Sequence, residues 1–314
     1  MKKPLIIIAG PTASGKTSLS VELAKRINGE IISADSMQVY RYMNIGTAKV
    51  SKEEEQGIKH HLIDMIDPKE PFNIRIFQQK AKKAIDEILE KGKIPILVGG
   101  TGFYIQAILY DISFEETQND NSYRWSLEKL ASENGNEYLH SLLKEVDEES
   151  YKIIHPNNVK RVIRALEYFH QTGSPISKHN EEEKKKTSPY NFLFYMLDMD
   201  RQILYNRIDT RVDEMFEKGL VQEVSDLRDR GYTKELVSMQ GLGYKEVFSF
   251  FDGKCDLEEA KYIIKRDTRH FAKRQFTWFR REKDICWLNL DLFEFNIENI
   301  LSKIIKDIEE KQFL

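Results

Sequence analysis

The chain has few cysteines and a net charge close to zero, and each of these features excludes a class of protein. Among 314 residues there are only two cysteines, Cys255 and Cys286, and neither lies in a CxxC pair or in a cluster with zinc-ligand spacing. We therefore expect two reduced cysteines and no zinc site. The 48 Lys and Arg residues face 51 Asp and Glu, a formal net charge of -3. No global basic excess indicates a nucleic-acid-binding protein, so only a local patch could do so.

Long hydrophobic runs are also lacking. Near the amino terminus the apolar run Leu5–Ala9 covers five residues, too few for a signal sequence or a membrane span. We therefore expect a cytoplasmic protein without membrane contact. With 40% hydrophobic and 32% charged residues, the composition is that of a globular protein with a sizeable core. It excludes collagen-like, disordered and coiled-coil proteins.

Buried strands alternate with amphipathic helices in the first hundred residues. Continuous apolar runs predict strands at Leu5–Ala9, Glu30–Ser33 and Ile94–Val98, and helical spacing predicts helices over Lys16–Arg26 and Ile74–Ile88. This alternation predicts right-handed βαβ units and a parallel sheet covered on both faces. The predicted fold class is α/β, with a P-loop NTPase-like core.

The strand rhythm stops near Asp111 and resumes near Pro189. The segment between them has only helical patterns, whereas Phe192–Leu197 and Ile285–Leu290 again predict strands. Helices are predicted over Arg201–Lys218, Leu220–Arg230 and Leu257–Arg281, with a closing helix around Ile297–Ile304. We therefore predict a catalytic core formed by residues 1–111 and 190–314, with a helical insertion at 112–189. We expect a monomer.

One motif follows the first strand directly and opens the first helix. It matches the pattern GxxxxGK[ST] with Gly10, Pro11, Thr12, Ala13, Ser14, Gly15, Lys16 and Thr17. Backbone N–H groups of such a loop surround phosphate oxygens, the lysine neutralises charge, and the Thr17 hydroxyl can ligate Mg²⁺. The alternative is a chance glycine turn before a helix. The motif predicts a di- or triphosphate site without saying which compound binds.

The acidic residue of the predicted site follows the second strand. The third strand ends in Gly99–Gly100–Thr101–Gly102, without the carboxylate that many P-loop hydrolases have there. Asp35 should emerge at the carboxyl edge of the sheet close to the P-loop, where it can assist a metal or accept a proton. The alternatives are a surface Asp that caps the next helix and a glycine pair needed only for a tight turn. This arrangement favours group transfer to an acceptor over hydrolysis.

A basic stretch near the carboxyl terminus is the local patch that the net charge leaves possible. Between Lys265 and Lys283 there are eight Lys or Arg residues and two acids. Helical spacing places Ile264, Phe271, Gln275 and Phe279 on a buried face, and Arg266, Arg269, Lys273 and Arg280 opposite. This pattern predicts a surface for a phosphate backbone, supported by Lys160, Arg161 and Arg164. The alternative is a solvated helix face.

A second pair of cations lies earlier in the chain. Arg207 and Arg211, four residues apart, are by themselves typical of an exposed helix surface.

Taken together, segments spread along the whole chain are similar to a known family. They are Gly10–Thr17, Ile32–Tyr40, Met43–Lys49, His61–Asp64, Val98–Tyr104, His155–Asn158, Arg161–Glu167, Gly241–Glu246 and Lys273–Trp278. In this order they resemble the tRNA dimethylallyltransferase family, whose bacterial members transfer an isopentenyl-type group to tRNA.

The resemblance implies a reaction and a role for each matching residue. Dimethylallyl diphosphate would donate its allyl group to N6 of the adenosine at position 37 of tRNA, a base flipped out of its stack in the anticodon stem-loop. The P-loop with Lys16, a Mg²⁺ held through Thr17, and Arg211 would bind the diphosphate. Asp35 would be the general base, and Thr101 would lie near the bridging oxygen. The implied tRNA contacts are Asp35, Ser36, Met37, Gln38, Thr101, Arg124, Lys160, Arg161, Arg164, Lys273 and Arg274.

Three other functions explain part of the same sequence. A small-molecule kinase would use the first hundred residues equally well but leaves the insertion and the basic helix unexplained. Transfer of the same group to free adenine nucleotide needs no tRNA-sized basic surface. An RNA-binding module without catalysis leaves Asp35 and the P-loop without a role.

Overall fold

The structure is a computed structural model that describes residues 2–114 and 122–312. The chain divides into two compact units. One contains residues 1–109 and 189–314, and the other contains residues 110–188. We call them the sheet unit and the helical unit. Within the described ranges, no helix has the length and apolar character needed to cross a membrane.

The first half of the sheet unit alternates strands and helices as the sequence predicts. Its elements are β1 (Lys3–Ala9), α1 (Lys16–Arg26), β2 (Gly29–Ser33), α2 (Lys52–Glu55), β3 (His60–His61), α3 (Ile74–Glu90), β4 (Ile94–Gly99) and α4 (Gly102–Leu109).

The second half of the sheet unit follows the helical unit. Its elements are β5 (Tyr190–Asp198), α11 (Arg201–Glu217), α12 (Leu220–Asp229), α13 (Tyr244–Phe251), α14 (Leu257–Phe279), β6 (Ile285–Asn289) and α15 (Ile297–Glu310). The helical unit contains α5 (Ser122–Asn134), α6 (Asn136–Ser141), α7 (Leu143–Val146), α8 (Glu148–Ile153), α9 (Val159–Thr172) and α10 (Ile176–Lys184).

The six strands form one parallel sheet in the order β3-β2-β4-β1-β5-β6. The α/β prediction is therefore confirmed. β1 lies between β4 and β5, and its residues Leu5 to Ala9 are fully buried, as expected for a strand covered on both faces. In a parallel sheet all carboxyl ends lie at one edge, which brings the loops after β1, β2 and β4 together.

Three details differ from the sequence prediction. The strand predicted as the third is the fourth along the chain, because His60–His61 forms an additional edge strand beside β2. A two-residue strand has too short a pattern to be recognised from periodicity. Helix α13 was not predicted. Phe271 was predicted to be buried, but 37% of it is exposed, because the second half of α14 buries Ala272, Gln275 and Phe279 instead.

The helical unit has its own hydrophobic core. Buried residues of α5, α6, α7 and α9 form it, with Leu127, Leu139, Leu143, Val162 and Ile163 among them. Residues 115–121, which the predicted insertion includes, lie outside the described part of the chain.

Candidate active site

The candidate active site lies at the carboxyl edge of the sheet, where three neighbouring strands end. β2, β4 and β1 are adjacent, and they lead into Asp35, into Gly99–Thr101 and into the P-loop, respectively. The Thr101 N–H donates to the Ala34 carbonyl over 3.4 Å, so the loops after β2 and β4 are joined beside Asp35. The fold therefore brings together three segments that lie far apart in the sequence.

The P-loop has the local structure of an anion site. The amino-terminal cap of α1 is Gly15, which has no side chain to accept hydrogen bonds from the first N–H groups of the helix. These groups and the positive end of the helix dipole favour a phosphate. Ser14 is 1% exposed, and its hydroxyl has no partner among the described residues.

Two cationic side chains converge on this loop. Lys16 Nζ donates to the Pro11 carbonyl over 2.6 Å, so in this structure the lysine folds back over its own loop. Arg211, on α11, extends to the loop, where its Nη1 lies 3.4 Å from Thr12 Oγ1. Burial and the nearby Arg211 charge lower the pKa of Lys16 to about 7, although Asp35 raises it. Burial also lowers the pKa of Arg211.

The position of Arg211 corrects one interpretation. From spacing alone, Arg207 and Arg211 form an exposed surface pair, but Arg211 is half-buried against the P-loop. Arg207 instead lies over the Phe295 ring, 4.6 Å from its centroid. Only the family resemblance predicted that Arg211 belongs to the diphosphate site.

Asp35 uses one carboxylate oxygen to fix the backbone after β2. Oδ1 accepts hydrogen bonds from the N–H groups of Met37 at 2.8 Å and Gln38 at 3.3 Å. Within the described ranges, Oδ2 has no hydrogen-bond partner. The helix cap considered as an alternative is absent, because the next helix begins only at Lys52. The carboxylate instead closes a turn, and this contact occupies one oxygen only. The other oxygen is available to accept a proton from a substrate.

The turn that contains Thr101 is held from one side by α14. Gln275 Nε2 donates to the Gly100 carbonyl over 2.9 Å, and a Cβ at Gly100 would lie 2.1 Å from the same nitrogen. On the other side of Thr101, a Cβ at Gly102 would lie 2.2 Å from the Trp278 ring. Both glycines are therefore required by close contact with α14, and Thr101 stands between them.

The sequence prediction missed a network that holds Gln38. Gln38 Nε2 donates to the carbonyls of Thr47 at 3.4 Å and Ala48 at 3.2 Å. Glu223, on α12, anchors the preceding residues of that loop, because its carboxylate accepts from three consecutive N–H groups, those of residues 44–46, at 2.8 to 3.1 Å. The Tyr244 hydroxyl also donates to Glu223, over 2.7 Å. An isolated Glu on a helix gives no signal of this role, although the segment that it binds belongs to the quoted motifs.

The predicted basic surface of α14 divides into two parts. In the first part cations are paired: Lys265 with Asp213, Arg266 with Asp267 and Arg269 with Asp209. In the second part Lys273, Arg274, Arg280 and Arg281 are exposed, and no carboxylate of the described residues lies within 4.0 Å of them. The surface available to a phosphate backbone is therefore shorter than predicted, and Arg269 is committed to an ion pair.

In the helical unit the predicted RNA contacts differ among themselves. Lys160, Arg161 and Arg164 are exposed on α9. Arg124, in contrast, pairs with the buried Glu167 through two hydrogen bonds, from Nε at 2.8 Å and from Nη2 at 2.6 Å. This pair joins α5 to α9, so the structure gives Arg124 a role in holding the unit together.

A divalent cation would fit at Thr17 with the help of the ligand. Thr17 is exposed at the start of α1, beside the loop whose N–H groups face a phosphate. Within the described residues there is no group of three or more His, Cys, Asp or Glu side chains that could hold a metal alone. This donor set fits Mg²⁺, which keeps several waters and binds substrate phosphates together with few protein ligands.

Comparisons with known proteins agree with this geometry. A family model described as IPP transferase matches residues 38–282. The chain is 56% identical to a tRNA dimethylallyltransferase of Lachnoclostridium phytofermentans, over 99% of both chains. It is also similar to the solved tRNA isopentenylpyrophosphate transferase of Bacillus halodurans, with 45% identity, a TM-score of 0.74, and 99% of this chain and 98% of the other covered.

A third relative was solved while acting on RNA. It is a eukaryotic dimethylallyltransferase acting on tRNA, 31% identical, with a TM-score of 0.83 and coverage of 98% of this chain and 80% of the other. The matched family model covers more than half of the chain, and the relatives match it almost from end to end. The chain therefore belongs to the IPP transferase family.

Proposed function

We propose that this protein transfers a dimethylallyl group from dimethylallyl diphosphate to N6 of the adenosine at position 37 of tRNA. The observation that carries the proposal is the convergence of the P-loop, Asp35 and Thr101 at one edge of the sheet. Relatives named tRNA dimethylallyltransferase support it. The proposal includes a monomer that acts in the cytoplasm, with tRNA bound through its anticodon stem-loop.

Each group of residues in the site has its own role in the proposed reaction. The P-loop N–H groups, Lys16 and Arg211 bind the diphosphate. The N6 nitrogen attacks the allylic carbon, the carbon–oxygen bond to diphosphate breaks, and the N6 proton passes to Asp35 Oδ2. The Thr101 hydroxyl donates to the bridging oxygen as negative charge develops there. Arg211 and Lys16 both lie at the loop that would hold the diphosphate, so they can neutralise the charge that develops on it once the Lys16 ammonium leaves the Pro11 carbonyl.

A divalent ion would be held by the Thr17 hydroxyl and by phosphate oxygens. It would supply further neutralisation of the charge on the diphosphate. Lys16 and Arg211 place positive charge at the same loop, so the protein itself provides part of this neutralisation.

The test is transfer of labelled dimethylallyl from its diphosphate to unmodified tRNA. We expect the wild type to label tRNA, and Asp35→Ala and Asp35→Asn to lose at least a hundredfold in kcat, a usual share for general base catalysis. Asp86→Ala is the matched control, since Asp86 is exposed and forms a surface ion pair with Lys3. A parallel reaction with γ-labelled ATP and small acceptors tests the kinase alternative. Label from ATP on a small acceptor, with none on tRNA, would overturn the proposal.

A further inference from the structure

A stripe of aromatic side chains, with Phe271 exposed and Trp278 half-buried, runs along the second half of α14. Phe271, Arg274 and Trp278 are three and four residues apart and therefore lie on one side of the helix. Phe271 is 37% exposed, although helical spacing predicts that it is buried. A large apolar side chain at the surface of an otherwise charged helix is informative when it has neighbours of the same kind.

The stripe continues onto the turn that contains Thr101. Phe103 is 41% exposed and follows Thr101 by two residues. Its ring packs edge to face against Trp278, with centroids 6.2 Å apart and an interplanar angle of 64°. Trp278 also contacts Gly102, where a Cβ would lie 2.2 Å from its ring. The exposed aromatic rings therefore reach the immediate neighbourhood of the proposed catalytic threonine.

Positive charge surrounds the same rings. The Arg274 guanidinium lies over the Phe271 ring, 5.7 Å from its centroid. Lys273, Arg274, Arg280 and Arg281 are exposed, and within the described part of the chain none of them has a carboxylate within 4.0 Å. The surface thus offers aromatic rings and unneutralised cations at neighbouring positions.

This combination fits an unpaired nucleotide. Exposed aromatic faces stack on bases, and nearby cations bind the backbone phosphates, whereas a paired duplex hides its base faces. A purely apolar partner would leave the cations without a counter-charge, and a purely anionic partner would leave the rings in water. Arg274 can serve both parts of a nucleotide, since a guanidinium stacks on rings and binds phosphate.

We propose that Phe103, Phe271 and Arg274 form a stacking surface for the unpaired nucleotides that flank the target adenosine in the RNA substrate. This inference rests on the proposed function, because the surface lies beside Thr101. Stacking there would hold the strand next to the flipped base and thereby keep the adenosine at the site. Trp278 packs edge to face against the Phe103 ring and is a positioning residue.

The test compares Phe103→Leu, Phe271→Leu and Arg274→Ala with the wild type. Leucine keeps an apolar side chain but removes the ring face. We expect each Leu variant to raise both Kd and KM for tRNA about tenfold. We expect kcat and the KM for dimethylallyl diphosphate to stay within twofold. The salt dependence of tRNA binding should keep its slope in the Leu variants and fall by about one in Arg274→Ala.

Two further variants separate stacking from a general effect on the helix. Phe103→Tyr and Phe271→Tyr keep the ring and should bind tRNA as the wild type does. Tyr262→Leu removes an exposed ring from the other side of the same helix and should change nothing. Wild-type tRNA affinity in both Leu variants, or an equal loss in Tyr262→Leu, would overturn the inference. The binding measurement needs no transfer, so its outcome is distinct from failure of the proposed reaction.

Discussion

At the scale of single residues, Lys16 combines a proposed role in binding phosphate with a pKa of about 7, which burial and Arg211 lower. Below this pH the side chain is charged, and above it the free protein must take up a proton to bind an anion. We predict that the wild-type affinity for inorganic diphosphate, divided by the affinity of Lys16→Arg, falls above pH 7 by up to about tenfold per pH unit. Calorimetric titration between pH 6 and pH 9 measures this.

The arginine variant is the control because a guanidinium stays charged throughout this range. It also removes the effect of the diphosphate's own titration, which is the same for both proteins. If the two affinity curves run parallel from pH 6 to pH 9, Lys16 is fully charged in the free protein and the prediction is wrong.

Gln275 and Gln78 allow a residue that holds the proposed site to be compared with one that holds only the fold. Both are buried, and both donate from Nε2 to a backbone carbonyl next to or in α4: Gln275 to Gly100 at 2.9 Å and Gln78 to Ala107 at 2.7 Å. We predict that each change to Leu lowers the free energy of unfolding by about 1 kcal/mol. Only Gln275→Leu should lower kcat, about tenfold, because it frees the turn that carries Thr101.

Steady-state kinetics and urea unfolding measure the two effects separately. The KM values for tRNA and for the donor should stay within twofold in both variants, since neither glutamine binds a substrate in the proposed reaction. Equal kcat values for Gln275→Leu and Gln78→Leu would mean that the hydrogen bond to Gly100 only stabilises the fold.

At the scale of elements, the sequence predicted most of the sheet because apolar runs and helical spacing are local signals. α1 begins and ends at the predicted residues, Lys16 and Arg26. The errors occur where tertiary contacts decide. β3 has two residues, and it forms because β2 offers a free edge. Phe271 is exposed because the helix turns a neighbouring row of residues, with Ala272, Gln275 and Phe279, toward the sheet unit.

Glu30 and its partners stabilise β2 near its amino-terminal end. Glu30 is 3% exposed and accepts hydrogen bonds from His61 at 2.8 Å, Lys93 at 2.9 Å and Lys91 at 3.1 Å. Burial by itself would raise the pKa of Glu30, but these partners lower it to about 2. A lowered pKa stabilises the folded state above the unfolded pKa of about 4.5, and this stabilisation is lost as the pH falls toward 2.

We predict that Glu30→Gln lowers the free energy of unfolding by about 2 kcal/mol at pH 7. The difference from the wild type should shrink as the pH falls below 4.5, because Glu30 of the unfolded chain then takes up a proton that the folded state, with its pKa of about 2, does not bind. Urea unfolding at pH 7, 5, 4 and 3 measures it. Glu22→Gln, which breaks an exposed ion pair with Lys25, is the control and should cost less than about 0.5 kcal/mol. A difference that is independent of pH would contradict the prediction.

At the scale of the whole molecule, the candidate site could be predicted only in part from the residues themselves. The P-loop and Asp35 follow predicted strands, so their neighbourhood follows from the topology of a parallel sheet. Arg211 reaches the P-loop from a helix nearly two hundred residues later, and Glu223 holds a loop through backbone groups. Neither contact leaves a local pattern in the sequence, because each joins residues that lie far apart along the chain. Glu223 moreover binds backbone N–H groups, which every residue except proline has.

At the same scale, the residues predicted to contact tRNA lie in both units of the molecule. Lys160 and Arg164 are exposed in the helical unit, and Lys273 is exposed in the sheet unit. We predict that Lys160→Glu and Lys273→Glu each weaken tRNA binding about tenfold and lower the slope of its salt dependence by about one. The affinity for dimethylallyl diphosphate should stay within twofold in both. The double variant should show the product of the two losses, because sites that share no interaction partner act independently. Filter binding at four salt concentrations measures all of these values.

Lys129→Glu is the control, since Lys129 lies on α5 beside Glu133 and has no assigned RNA contact. If only one of the two variants changes the slope, tRNA contacts a single unit, and the other basic surface is a solvated helix face.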